Sequence, residues 1–290
     1  MGILLLFEER YSMNKPKPVA LAGFYLIGIA IFAFFIVPLF WTLSMSLKTI
    51  PELFSSKLTL WPKVPQFSNY AKIFQNTMIL VNIKNSTVIT ISAVLITLVL
   101  SIPSAFALSR SRFHGKQFYM FLILIFQMLS PVVVVIPLYR FFISINIYNK
   151  LWSLIIVYAA TFSPFAVWYL KGYFDTVPAA IDEAARIDGA GRLRALVFIH
   201  MPIAIPGIVS VAILLIVQCW SQFVLPFILL DDKRLFPIPV GLLNLQSTSD
   251  AITIHYLAAA SIIGILPIMI CFIIFQKFIV SGLASGATKE

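Results

Sequence analysis

A chain of 290 residues that is 60% hydrophobic and 11% charged, with a mean hydropathy of +0.98, cannot be a water-soluble domain, because it would expose large apolar patches. Its formal net charge of +10 does not point to nucleic acid, since the basic residues are scattered among loops between apolar runs, where anionic lipid and the positive-inside bias account for them. Cys219 and Cys271 both fall inside apolar runs, which excludes a disulfide framework and a clustered metal site.

In chain order, MGILLLFEERYSMNKPKP is a poor signal peptide. Its apolar run is short and is followed by Glu8 and Glu9 instead of a small-residue cleavage site, so the segment is expected to stay attached. Met13, just before the basic NKPKP, is an alternative start to Met1. A bilayer core takes about 20 apolar residues per helix. On that template six spans are expected, at 19–47, 85–109, 118–138, 151–170, 203–230 and 256–276. The fold class is therefore all-α and integral to the membrane, with residues 1–18 an N-terminal segment, 19–277 the transmembrane domain and 278–290 a tail. Pro38, Pro103, Pro131, Pro137, Pro164, Pro206, Pro226 and Pro267 all lie within these spans, and the second and third are expected to be bent, the third interrupted by Pro131 and Pro137. They fit a moving or cavity-lining bundle, and equally the general tolerance of membrane helices for proline.

Six spans put both termini on one side. The loop RSRFHGKQ after the second span carries three positive charges and no acid, which favours the cytoplasm for that side. The longest outer connection, 49–83, has an amphipathic stretch, FSNYAKIFQNT, that predicts a short helix at the membrane surface.

Eight charged residues lie between Lys171 and Arg194, in the connection between spans four and five. Asp175, Thr176 and Pro178 read as a helix start, AAIDEAARI supplies strong helix formers, and Asp182 stands four residues before Arg186, a favourable pair. Gly189 is the helix stop, and a second helix, RLRALVFIHM, is expected to run to Pro202. Ala184 and Ala185 leave a low surface for another backbone, ringed by Glu183, Arg186 and Asp188, and such a unit suits a groove on a partner protein. Capping two membrane helices is the plainer alternative.

The order Glu183-Ala184-Ala185, three residues, Gly189, nine residues, Ile199, one residue, Met201-Pro202 resembles the EAA motif of ABC importer permeases, with Met201 where leucine is usual. The wording EAARIDGAG, the six spans and the tail QKFIVSGLASGATKE look most like the carbohydrate-type, maltose-permease-like members. The resemblance implies a type I importer permease fold with a cytoplasmic helix-turn-helix coupling loop at 172–202. It implies that Glu183, Ala184, Ala185, Arg186, Asp188 and Gly189 couple to a separate dimeric ATPase, and that Gly282, Ser285 and Gly286 in the tail touch that ATPase. No ATP chemistry is then expected in this chain, which has no GxxxxGK[ST] loop, no catalytic residue, no metal and no cofactor of its own; ATP and Mg belong to the partner.

The further partners implied are a second homologous permease, an extracytoplasmic solute-binding protein, a small-molecule sugar and the lipid of a prokaryotic plasma membrane. The segment LFPIPVGLLNLQSTSD resembles the family's loop to the binding protein, with Pro239, Gly241 and Asn244 as its contacts, or is an ordinary structured loop. Uncharged polar residues inside spans are the expected substrate path: Gln127, Ser130, Gln218, Trp220, Ser221 and Gln222. Gln218 and Gln222, a turn apart, are expected to share a face; interhelical hydrogen bonding is the alternative. The histidines His114, His200 and His255 form no ligand set and receive no chemistry. An ABC permease for glycerol phosphate or a peptide is the nearer rival reading. A secondary transporter is disfavoured by the scarcity of charge within the spans.

Overall fold

The computed structural model describes residues 18–55, 57, 59–75, 77–247 and 254–287. Every regular element among the described residues is helical. Internal contacts divide the chain into two units, residues 1–69 with 253–259, and residues 70–252 with 260–290.

In the first unit, α1 (Pro18–Ser46) carries 29 residues without a charge. All of its residues from 25 to 40 are exposed, and an apolar helix so exposed needs lipid or another protein around it. Pro38 lies inside the helix, and the Thr42 hydroxyl donates to the Pro38 carbonyl at 2.9 Å. A one-turn helix, α2 (Ile50–Leu53), follows. Lys48 is buried, donates to the Thr59 carbonyl and lies over the Trp41 ring, while Glu52 Oε1 accepts from Thr59 Oγ1 and Lys63 N. These bonds fold the polar connection onto itself. The amphipathic stretch expected to be helical forms α3 (Ser68–Gln75).

The second unit holds the core. Its long members are α4 (Thr77–Arg110), α7 (Leu151–Asp175) and α10 (Met201–Ser221). Ala93, Ala105, Ala159 and Ala166 are all buried on α4 and α7, the small residues that let helix backbones approach closely in lipid. The 34-residue helix α13 (Ile254–Ala287) completes the described chain. Among the described residues, five helices are long and apolar enough to cross a membrane, and a bent pair makes a sixth if it counts as one span.

That pair stands where the third span, 118–138, was expected to be interrupted and bent at its prolines: α5 (Lys116–Met128) and α6 (Pro131–Ser144) meet at 90°. The proline at N1 of α6 forces Ser130 before it into an extended conformation, and Leu129 is extended as well. The expected fifth span, 203–230, is also interrupted. Gln222 leaves helical geometry, and α11 (Val224–Leu229) follows as a separate piece. At its far end the Asn149 side chain accepts the backbone N–H groups of Asp231 and Asp232, clamping the turn before α7 to the chain after α11.

Candidate functional site

The charged connection folds into α8 (Ala179–Ile187), a turn, and α9 (Arg192–Ala195). Pro178 stands at the N-cap of α8, where its missing N–H costs nothing. The stop is a Schellman motif. Gly189 takes φ +74°, its N–H donates to the Arg186 carbonyl at 3.0 Å, and the Ala190 N–H donates to the Ala185 carbonyl at 2.9 Å. Glycine enters that left-handed region without a Cβ penalty, so the expected stop is where the sequence put it.

Other expectations change. Asp175 starts no helix. It closes α7, accepting from Ser109 Oγ at 2.6 Å and pairing with Lys171 Nζ at 2.5 Å. The second helix does not end at Pro202 either. After α9 it widens into a π segment (Leu196–His200) directly before Pro202 and continues into α10.

Asp182 does not pair with Arg186 among the described residues. Its Oδ2 lies 3.1 Å from Arg110 Nε at the end of α4, and its Oδ1 lies 2.8 Å from His200 Nε2. The Arg110 contact is a charge contact without hydrogen-bond geometry at Nε; Arg110 Nη2 donates instead to the Val177 carbonyl at 2.6 Å. His200, given no chemistry by spacing, is fully buried against the Phe106 and Phe174 rings, at 4.8 and 6.3 Å between centroids. Sequence reading missed it because 18 residues separate it from Asp182. The available signal was that Asp182 and Ala185, three apart, share one face of α8.

The two alanines of the motif divide. Ala185 is buried, while Ala184 is exposed. The outward surface of α8 and its turn therefore consists of Glu183, Ala184, Arg186, Ile187, Asp188 and Gly189, with Ile187 86% exposed. Ile187 thus stands out from the bundle among charged neighbours. Beside α8 opens a cleft lined by Arg110, Arg112, Lys116, Arg186 and Arg192 together with Asp182 and Glu183.

The remaining site residues are dispersed. The segment resembling a binding-protein loop forms α12 (Ile238–Ser247), packed inward. Gly241 is buried so closely against α4 that a Cβ there would overlap the Asn82 amide, and Pro239 is half-buried. The Asn244 side chain lies outside the described residues. Ahead of α12, Asn85 donates to the Arg234 and Phe236 carbonyls at 2.8 and 3.1 Å, and the Ile238 N–H donates to the buried Ser86 hydroxyl at 2.8 Å. Ser86→Ala leaves that N–H unsatisfied, so we expect about 1–3 kcal/mol of destabilisation, read as a lowered midpoint of thermal unfolding in detergent.

On the expected substrate path, Gln127 and Ser130 are exposed at the α5–α6 break. There an apolar cavity of about 530 Å³, open to its surroundings, is lined by Tyr119, Phe126, Pro131, Val134, Thr161 and Pro164 among others. Trp220 is buried and its indole donates to the Gly264 carbonyl at 2.9 Å, the interhelical use, so it presents no free plate to a path. Ser221 is exposed, and its hydroxyl donates to Val217 within its own helix. Gln218 is half-buried on α10, but Gln222 lies beyond that helix, so the two do not share a helical face. The tail positions Gly282, Ser285 and Gly286 fall on the last turns of α13, with their side chains outside the described residues.

Apolar helices long enough to cross a bilayer, one pair of them sharply bent, and a charged helix-turn-helix between two of them fit a membrane permease subunit. Residues 98–285 match the family described as the binding-protein-dependent transport system inner membrane component, and the chain belongs to that family of ABC importer permeases. It is 35% identical over 282 residues to the inner membrane ABC transporter permease protein YcjP of Escherichia coli (strain K12), covering 96% of this chain and 99% of that protein. It is 30% identical over 254 residues to the trehalose/maltose transport system permease protein MalG of Thermococcus litoralis, covering 87% and 91%. Among solved structures, a bacterial ABC transporter involved in import of the acidic polysaccharide alginate aligns with a TM-score of 0.76 over 89% of this chain and 95% of that one, at 21% identity, a likeness of fold. In this family the ATPase is a separate partner, and the permease is not itself an enzyme.

Proposed function

We propose that this chain forms half of the translocation pathway of an ATP-driven importer for a sugar or oligosaccharide, and that a separate ATPase dimer drives it by gripping α8. The observation that carries the docking reading is the two-sided build of that helix. Asp182 and Ala185 face the bundle, while Glu183, Ala184, Arg186 and Ile187 face outward. Glu183 and Asp188 have no ion-pair partner among the described residues, leaving their charge for a docked surface. The sugar assignment is supported by relatives whose names specify trehalose, maltose or maltodextrin.

On this reading ATP and Mg bind the ATPase, a second homologous permease completes the path, and an extracytoplasmic binding protein delivers the solute. Both termini and the coupling loop 172–202 face the cytoplasm, and the end of α13 with Gly282, Ser285 and Gly286 reaches the ATPase. Gln127, Ser130, Gln218 and Gln222 remain the proposed polar lining of the path. The outer ends of the spans, including Pro239, Gly241 and Asn244 on α12, lie on the side of the binding protein.

The test is affinity purification of tagged permease from membranes, with uptake of labelled disaccharides into the same cells. Wild type is expected to bring down an ATPase subunit and support uptake. Glu183→Lys, which reverses an exposed charge without touching the core, is expected to insert normally, lose the ATPase and abolish uptake. Normal uptake by Glu183→Lys with the ATPase bound would refute the docking assignment.

A further inference from the structure

We infer that Arg110, Asp182 and His200 form a positioning joint that ties the coupling helix to two membrane-spanning helices at once, so that displacement of α8 moves α4 and α10 together. The inference rests on the docking reading above and adds the element that turns docking into movement.

One carboxylate is shared between two elements far apart in sequence. Asp182 Oδ2 reaches Arg110, the last residue of α4, at 3.1 Å, and Oδ1 reaches His200, the last residue of the π segment leading into α10, at 2.8 Å. Arg110 also holds the strand of chain entering α8 through the Val177 carbonyl at 2.6 Å. Neighbouring Ser109 holds the end of α7 through Asp175 at 2.6 Å. The incoming end of the loop is thus gripped by α4, and its middle by both α4 and α10.

The two halves of the joint differ mechanically. His200 is fully buried between Phe106 and Phe174, so its ring cannot follow α8 without repacking the core; the hydrogen bond to Asp182 makes the two move as one body. The Arg110 contact lacks hydrogen-bond geometry at Nε and depends on charge, which weakens gradually with distance and tolerates rocking. The π segment sets the register of the rigid half. Removing one residue from it would turn His200 by about 100° relative to α9 and point it away from Asp182. Ala185, one turn on from Asp182 and buried, keeps the same face of α8 seated.

A carboxylate serving only to hold the fold would change the amount of protein in the membrane, not the solute moved per ATP. The experiment therefore uses the assembled transporter, with its ATPase and binding protein, in proteoliposomes. It measures bound ATPase, ATP hydrolysis and uptake for Asp182→Asn, His200→Leu, His200→Gln, Asp182→Arg and the exchange Arg110→Asp with Asp182→Arg. Asp182→Asn and His200→Leu are expected to keep the ATPase bound and hydrolysing while uptake per ATP falls by about tenfold. His200→Gln, whose amide N–H reaches the Nε2 position, is expected to recover most of that ratio. The exchange is expected to recover part of what Asp182→Arg loses.

An unchanged uptake per ATP in Asp182→Asn and His200→Leu overturns the joint. So does ATPase lost from the Asp182→Asn complex, since Asp182 would then be a docking residue and the docking reading would stand. Failure of wild type to retain any ATPase overturns the docking reading itself, and the joint with it.

Discussion

Replacing Gly189 with proline is expected to abolish ATP-driven uptake while the protein still reaches the membrane. The position needs φ +74°, and proline is locked near −65°. Proline also removes the N–H that donates to Arg186, and the misdirected chain pulls the Ala190 N–H away from Ala185. Losing the left-handed turn and two closing bonds costs roughly 2–4 kcal/mol locally. The loop is exposed and outside the hydrophobic core, so that cost falls on the direction in which α8 points rather than on the bundle. Uptake assays alongside quantitative immunoblots of membranes separate the two. Loss of protein from the membrane in step with uptake would contradict the assignment. Gly189→Asn, which tolerates the left-handed region, is expected to retain most of the activity.

Tryptophan at the two motif alanines is expected to produce opposite failures. Ala184 is exposed on the outward face of α8, so Ala184→Trp leaves the chain's own packing intact and blocks approach of a docked surface. Uptake and ATPase retention should both be lost, with thermal stability in detergent unchanged. Ala185 is buried against the base of the bundle, and Ala185→Trp must displace α8 or its neighbours, an overpacking cost of about 1–3 kcal/mol or more. Its unfolding midpoint should fall. Equal stability losses at both positions would mean that α8 is seated otherwise than described.

These outcomes also separate what was readable from the chain alone. The resemblance carried the motif, and Gly189 announced its own turn, because a left-handed residue after a helix is a local property. The division between Ala184 and Ala185 is not local. It depends on which side of a nine-residue helix meets the bundle, and that is fixed by Asp182 finding Arg110 and His200. The inward packing of α12 is not local either, because Asn85 and Ser86 on α4 supply the bonds that hold the chain entering it. The same limit applies to Trp220 and Gln222, whose surroundings depend on a carbonyl of α13 and on where α10 stops.

By itself the sequence determined that this protein lives in lipid, builds its spans from helices, and carries a charged helix-turn-helix, since hydropathy, proline placement and a glycine stop act over a few residues. Tertiary structure alone decided which side of α8 is seated and the shared carboxylate of Asp182. Those features depend on groups brought together from 18 to 72 positions apart, such as Asp182 with His200 and with Arg110, and periodicity along a chain carries no record of such distances.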